Sequence, residues 1–305
     1  MTAAAPSRSV LALLYAGMVL AWGLNFIFVR TGLSDSPPLW LAAMRGAVAT
    51  PGVALGLRLW RSGEPVTTRE RRDSLLLGIP TTALFFGLWF SGAAQVPPGE
   101  TAVIVYTFPL WVAILSYFIF TERPSRWTWP SVAVGFIGIV LVEQPWNEGA
   151  GHLPLAAVVE LLVAAASWAL GTVLLKHRIR GPALRSANGY QLASGAAILV
   201  VIALVFDRSP SITLSTGLVE SVLWLGLVGT AFANVVWFLL LEKFSASTIS
   251  TWAFLTPVVA LVASVLIFSE RLDWVQVVGV AAVLGGIVVI ARTDVGELVP
   301  SGSGE

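Results

Sequence analysis

Two ionisable side chains stand inside long apolar stretches of this chain, Arg45 and Glu160. Each sits six or seven residues into its stretch, roughly 10 Å below one bilayer surface at about 1.5 Å per helical residue. Charged groups at such depth are rare and face the protein interior or water. Opposite charges at similar depth form either a structural ion pair or the two ends of a zwitterion site. In the second case Arg45 takes a carboxylate and Glu160 an ammonium. The Glu160 face continues through Ala164, Ser167 and Gly171, small residues that suit close helix packing and favour a structural or gating role there. Asn25 and Asn234 also lie in apolar stretches, where an unpaired amide is costly. Each is either a substrate contact or an interhelical hydrogen bond.

Other chemistry finds no residues to support it. The two histidines, His152 and His177, stand at the ends of apolar segments, without the spacing of metal ligands. No embedded carboxylate pair, nucleophile elbow or glycine-rich phosphate loop is present, so enzymatic chemistry and a bound cofactor or metal are not expected. The chain has no cysteine, which removes disulfides and thiolate metal sites. The net charge is +1 with the basic residues in loops, which gives nucleic acid no basic surface. A channel would need a polar stripe along its pore, whereas the polar residues here are sparse among aromatics.

The elements that must hold these residues are membrane helices. The 305 residues are 56% hydrophobic and 11% charged, with a mean hydropathy of +0.84. A helix crossing about 30 Å of hydrocarbon needs about 20 mostly apolar residues. Ten such segments are expected: Val10–Val29, Leu39–Leu59, Ser74–Ala94, Gly99–Phe120, Trp127–Val142, Leu153–Leu175, Leu184–Phe206, Gly217–Leu241, Ala246–Phe268 and Trp274–Ala291. The lipid bilayer is therefore a partner along most of the chain. Short connections leave no room for an inserted soluble domain. Residues 1–9 form an N-terminal tail with no signal-peptide cleavage site, and 292–305 form a C-terminal tail ending in a Ser-Gly linker-like run.

The chain also matches itself. Gly78, Thr82, Ala83, Trp89 and Phe90 recur as Gly226, Thr230, Ala231, Trp237 and Phe238, an offset of about 148. The register continues through Pro109 and Pro257, Glu122-Arg123 and Glu270-Arg271, and Gly138-Ile139-Val140 and Gly286-Ile287-Val288. Ahead of Gly78 the offset slips to about 146, with Trp22 on Trp168 and Arg30 on Lys176. Two repeats follow, residues 10–143 and 153–291. Five helices per repeat is odd, so the second repeat enters the bilayer from the opposite side. The fold expected is an all-α membrane protein of ten transmembrane helices, arranged as two inverted five-helix repeats around a central cavity. Inverted repeats are the architecture of secondary transporters, with the site between them near the midplane.

Helical faces select the residues that line such a cavity. Gly78, Thr82, Phe85, Trp89 and Gly92 share one side of the third segment, and Gly226, Thr230, Ala233 and Trp237 share the matching side of the eighth, with Asn234 beside them. Met18, Trp22, Asn25 and Val29 share a face of the first segment, and the sixth offers Trp168. An aromatic precedes each repeated proline by three residues, Tyr106 before Pro109 and Phe254 before Pro257. A mainly aromatic surface with a few amides suits a small amphipathic molecule. Each proline removes a helical hydrogen bond and acts either as a static kink or as a hinge. Trp127, Trp129 and Trp274 are expected as interfacial anchors.

Loop charge sets the orientation. With the N-terminus in the cytoplasm, the inside loops hold Arg69, Arg71, Arg72, Arg123, Arg126, Lys176, Arg178, Arg180 and Arg185 among others, and the outside loops only Arg30, Arg208 and Arg271. The positive-inside rule then places both termini in the cytoplasm. The two Glu-Arg pairs are expected as solvated helix-end pairs.

A central proline leading into Ile-Phe-Thr-Glu-Arg in one half and Ile-Phe-Ser-Glu-Arg in the other, each followed by a Gly-Ile-Val helix, resembles the drug/metabolite transporter superfamily. Together with Ala-Trp-Gly-Leu-Asn in the first segment, this matches its ten-helix paired-repeat (EamA-type) branch. The resemblance runs from about Val10 to Ala291. It implies a cavity lined by helices 1–4 and 6–9, with helices 5 and 10 outside. It also implies export of amino acids or related small metabolites across the bacterial inner membrane. A sugar-phosphate or nucleotide-sugar carrier is the alternative, but such substrates carry about two negative charges and one arginine is little to desolvate them. A proton-coupled drug or metabolite exporter is the other. Glu160 is the one clear carboxylate for such coupling, and its depth and small-residue face point to packing near the outer surface, so facilitated transport is expected.

Overall fold

A computed structural model describes residues 8–59, 65–120, 126–143, 153–179, 183–208, 210–243, 255–269 and 272–295. Phe254, His152 and both Glu-Arg pairs lie outside these residues. The described chain forms ten helical rods and no strand. These are α1 (Arg8–Leu33), α2 (Pro38–Leu59), α3 (Thr68–Gly78, Ile79–Leu84 and Phe85–Ala93), α4 (Pro98–Val105 and Phe108–Phe120) and α5 (Thr128–Glu143). The second half contains α6 (Leu155–Arg178), α7 (Ala183–Phe206), α8 (Thr216–Leu223, Trp224–Phe232 and Ala233–Lys243), α9 (Leu255–Phe268) and α10 (Trp274–Val295).

Seven rods are long and apolar enough to cross a membrane, and α5, α9 and α10 carry shorter apolar runs. Large apolar side chains such as Phe118, Phe206 and Leu266 point outward from the bundle. That surface is suited to lipid. Against lipid tails the bundle gains little hydrophobic drive between helices, so close packing and interhelical hydrogen bonds hold it together.

Local chemistry explains where the rods depart from the apolar runs. The third begins at Thr68, ahead of the apolar run, because Thr67 and Glu70 form a reciprocal capping box. Thr67 N donates to Glu70 Oε2 at 2.8 Å, which carries the helix through the charged Arg69–Asp73 stretch. Rod α4 is interrupted at Tyr106–Thr107, where the Thr107 hydroxyl donates to the Ile104 carbonyl at 2.7 Å. Pro109 then falls in the first turn of the following segment, where its missing N–H leaves no bond unmade.

Rods α3 and α8 each contain a wide π turn, Ile79–Leu84 in one repeat and Trp224–Phe232 in the other. In α3 the ladder is disturbed by Pro80, which has no N–H to give. The carbonyl of Leu75, one turn before Pro80, accepts from Ser194 Oγ at 2.8 Å, and that of Pro80 itself accepts from Ser167 Oγ at 2.7 Å, tying α7 and α6 to α3. In α8 the carbonyl of Gly229 accepts from Asn25 Nδ2 at 3.3 Å, tying α1 to α8.

The packing has a two-fold pattern. Rod α1 lies on α8 and α9, and its mate α6 lies on α3 and α4. Rods α2 and α7 pack on each other, as do α4 and α9, and α5 and α10. The repeats run in opposite directions. Gly138 abuts Gly279 and Val283, while Gly286 abuts Ser131 and Gly135, so α5 and α10 are antiparallel. The backbones touch at Gly138 and Gly279, where an added Cβ would come within 2.6 Å of the opposing carbonyl oxygen. This outer pair makes few other contacts, leaving the eight remaining rods to enclose the centre.

Candidate functional site

Among the described residues, two cavities lie at the centre on either side of shared lining residues. The first, the far cavity, lies away from the N-terminal end of α1. Trp22, Asn25, Phe26, Arg45, Phe85, Phe86, Trp89, Val105, Tyr106, Phe108, Trp168 and Asn234 line it. The near cavity is lined by Thr81, Thr82, Phe86, Trp168, Thr172, Leu175, Asn188, Gln191, Asn234, Trp237 and Phe238.

Arg45 organises the far cavity. Its side chain is buried, 2% exposed, and its guanidinium carbon stands 4.0 Å from the Phe86 ring centre and 5.1 Å from that of Trp89. Both distances suit cation–π attraction. Arg45 Nε donates to Thr230 Oγ1 at 2.7 Å, and Thr230 in turn donates to the Leu225 carbonyl at 2.6 Å, across the wide turn. Nη2 lies 3.5 Å from the Gly229 carbonyl, while Nη1 has no hydrogen-bond partner. No carboxylate pairs with Arg45 among the described residues. Asn25, also buried, gives Nδ2 to the same Gly229 carbonyl and leaves Oδ1 without a partner. Gly229 is required by this approach: an added Cβ would collide with the Asn25 side chain.

Aromatic rings build the rest. Trp22 meets Trp168 edge-to-face at 6.1 Å and Trp237 at 5.3 Å. Phe85 lies 4.5 Å from Trp168 and 5.3 Å from Trp89, and Phe26 bridges Trp89 and Tyr106. The indole nitrogens of Trp89 and Trp168 are buried without partners. An arginine donor, two indole donors and an amide acceptor thus meet in an aromatic space. Such a set of groups has the chemistry to suit a carboxylate beside an apolar group.

The near cavity is the two-fold counterpart. Gly226 packs on Val48 and the Arg45 carbonyl, and its mate Gly78 packs on Ser194 and the Gln191 carbonyl. Gln191 therefore occupies in the second repeat the place of Arg45 in the first. By the same operation Asn234 answers Phe86, Trp237 answers Trp89 and Trp168 answers Trp22. Phe86, Trp168 and Asn234 line both cavities and form the wall between them. Asn234 Nδ2 reaches Asn188 Oδ1 at 3.5 Å, leaving Asn188 Nδ2 and Gln191 Nε2 unpartnered.

Of the residues selected from the sequence, Trp22, Asn25, Arg45, Phe85, Trp89, Tyr106, Trp168 and Asn234 come together at the far cavity, and Trp237 lines the near one. Phe254 lies outside the described residues. Pro257 is buried in the first turn of α9. Glu160 lines neither cavity and forms no ion pair with Arg45. It is half-buried on α6 with Oε2 unpartnered, which removes the ion-pair alternative. Trp127, Trp129 and Trp274 are exposed near helix starts, as befits interfacial anchors. Sequence reasoning passed over Phe26, Phe86, Asn188 and Gln191. The two amides carried the same signal as Asn25 and Asn234, a polar side chain in an apolar run.

Comparison with known proteins agrees with this architecture. The sequence model of the EamA-like transporter family matches residues 9–143 and again residues 155–292. "Uncharacterized transporter YoaV" of Bacillus subtilis is 26% identical over 88% of this chain and 92% of its own length. A "Probable amino-acid metabolite efflux pump" of Escherichia coli is 28% identical over 91% of this chain and 92% of its own, and its Salmonella typhimurium namesake is 28% identical over 88% and 91%. A crystal structure sharing 19% identity superposes with a TM-score of 0.67, covering 95% of this chain and 100% of that one, and so shares the fold. With both repeats matched, the chain belongs to the EamA-like transporter family and is a multi-pass membrane transporter.

Proposed function

We propose that this transporter exports amino acids, chiefly those with apolar or aromatic side chains, or closely related metabolites, across the bacterial inner membrane by alternating access. One observation carries the reading. Arg45 is buried with a free Nη1 donor, and Asn25 is held on the same Gly229 carbonyl with a free Oδ1 acceptor, both in a cavity walled by aromatic rings. An α-carboxylate fits the guanidinium, an α-ammonium fits the amide oxygen, and the rings receive the side chain. The absence of a carboxylate partner among the described residues supports a substrate anion as the missing counter-charge. The two relatives named as amino-acid metabolite efflux pumps lend the same substrate class.

Counterflow in proteoliposomes with a panel of radiolabelled amino acids tests the reading. Exchange is expected for phenylalanine, tryptophan and leucine, with deaminated and decarboxylated analogues exchanging poorly. No exchange by any amino acid would overturn it. Loop charge supports cytoplasmic termini. Single cysteines at Arg69 and His152, in a chain without native cysteine, should label from opposite sides. Transport is read as facilitated, because Glu160, the carboxylate set farthest into a helix among the described residues, lines neither cavity. An imposed pH gradient should therefore drive no accumulation, and uphill uptake abolished by Glu160→Gln would make Glu160 the coupling group.

A further inference from the structure

We infer that the near cavity is a second binding station for the substrate carboxylate, built from the amide nitrogens of Asn188 and Gln191. The inference rests on the reading of Arg45 as the carboxylate partner in the far cavity. Both amide side chains are buried, 3% and 2% exposed, and both line the cavity. Asn188 Nδ2 and Gln191 Nε2 have no hydrogen-bond partner, and the indole nitrogen of Trp168 in the shared wall has none either. Buried donors left unmade are costly, so each needs a partner that the chain itself does not supply here. All three unpartnered atoms are donors. The ligand they fit is rich in acceptors, as a carboxylate is.

Symmetry gives the same answer independently. Gln191 stands where Arg45 stands in the other repeat, each with its carbonyl against the matching glycine of the wide-turn rod. A ligand group that fits one half-site has the same approach in the other, across Phe86, Trp168 and Asn234. The chemistry differs in strength. Arg45 offers a charge-assisted bond and Gln191 a neutral one, roughly half as strong. The near station therefore holds the same group more weakly, and a molecule crossing the wall passes from one set of N–H donors to another without losing hydrogen bonds.

Equilibrium binding of radiolabelled L-phenylalanine to the full-length protein in nanodiscs is the test. The wild type should bind two molecules per chain, one at least about tenfold more weakly than the other, as the loss of about 1.4 kcal/mol would give. Arg45→Gln should remove the tight phase alone. Gln191→Glu, which keeps the shape and repels a carboxylate, and the apolar pair Asn188→Leu with Gln191→Met should each remove the weak phase alone, with melting temperature confirming the fold. A single Arg45-dependent site, or a weak phase that survives both Gln191 variants, would overturn the second station and leave the far site standing. No binding by the wild type would overturn the amino-acid reading and this inference with it.

Discussion

The two cavities differ where the two-fold operation would make them alike. In the far one a guanidinium stacks on Phe86 and Trp89 and hydrogen-bonds Thr230. In the near one the same places hold Gln191, Asn234 and Trp237, and Asn234 reaches Asn188 where Phe86 carries the cation. The backbone frame is shared down to the wide turns of α3 and α8. What has diverged is the charge. An inverted repeat supplies two equivalent approaches to one centre, and side-chain chemistry alone then makes the two approaches unequal.

The largest expected effect comes from erasing that inequality. Arg45→Gln makes the first repeat resemble the second and deletes a charge-assisted bond worth about 1.5–3 kcal/mol. Counterflow of phenylalanine should fall by roughly 10- to 150-fold. The protein should melt no lower than the wild type, because a buried charge without a carboxylate partner is removed. Unchanged flux in a well-folded variant would reduce Arg45 to packing against Phe86.

Legibility in the sequence followed the same inequality. Arg45, Asn25 and Asn234 stood out because a polar atom in hydrocarbon needs a reason. The helices stood out by hydropathy, and the repeat by identical residues from Gly78 onward. Gln191 was hidden because its mate is an arginine, so no identity marked the match, and because the offset changes ahead of Gly78. The wide turns left little trace: Pro80 hints at one, but Trp224–Phe232 contains no proline. Phe86 stands two residues past the wide turn of α3, and a regular 100° step from Phe85 took it off the chosen face. The break in α4 falls at Tyr106–Thr107, ahead of Pro109, since proline is tolerated in the first turn of a helix and the interruption comes before it.

A matched pair of glycine substitutions sharpens the comparison. In Gly229→Ala the new methyl collides with Asn25, and in Gly171→Ala, at the mate of Asn25, it collides with Thr81. Both overpack a helix crossing and should cost about 1–3 kcal/mol of stability. Only the first displaces the amide and guanidinium held on the Gly229 carbonyl. Flux is expected to drop roughly tenfold more in Gly229→Ala than in Gly171→Ala at similar melting temperature. Equal losses would show that the crossing, and not the site, sets the rate.

Trp168 tests the shared wall. Its ring lines both cavities, so Trp168→Phe keeps much of the packing and removes the single indole donor that they share. A neutral hydrogen bond is worth about 0.5–1.5 kcal/mol, which predicts a loss of about 2- to 10-fold in affinity at both stations together. Tyr106→Phe touches the far cavity alone and should leave any weak binding phase where it was. A Trp168 variant that weakens only one phase would mean that the indole belongs to one cavity and merely borders the other.

The smallest effects should come from the two ends of the bundle, where the repeats are tied differently. At the far end Ser215 Oγ donates to Asp35 Oδ2 at 2.6 Å and also caps α8 by accepting from Leu218 N at 3.0 Å, joining the α1–α2 turn to the start of α8. At the near end the buried Asp73 carboxylate meets Arg178 at 3.7 Å, with the arginine side chain 45% exposed. With the arginine half exposed and Arg72 also 3.4 Å from Asp73, losing Arg178 should cost at most about 1 kcal/mol and be screened by salt. The cap and its bond should be worth about 1 kcal/mol with less sensitivity to salt. Ser215→Ala is therefore expected to raise labelling of a cysteine placed at Asn25 from the far side by about two- to fivefold at any ionic strength. Arg178→Gln should raise labelling of a cysteine at Asn188 from the near side by a similar or smaller factor, and only in low salt. If neither variant changes labelling at either end, these ties hold the loops without biasing which cavity opens, and the inequality between the two sides lies wholly in Arg45 and Gln191.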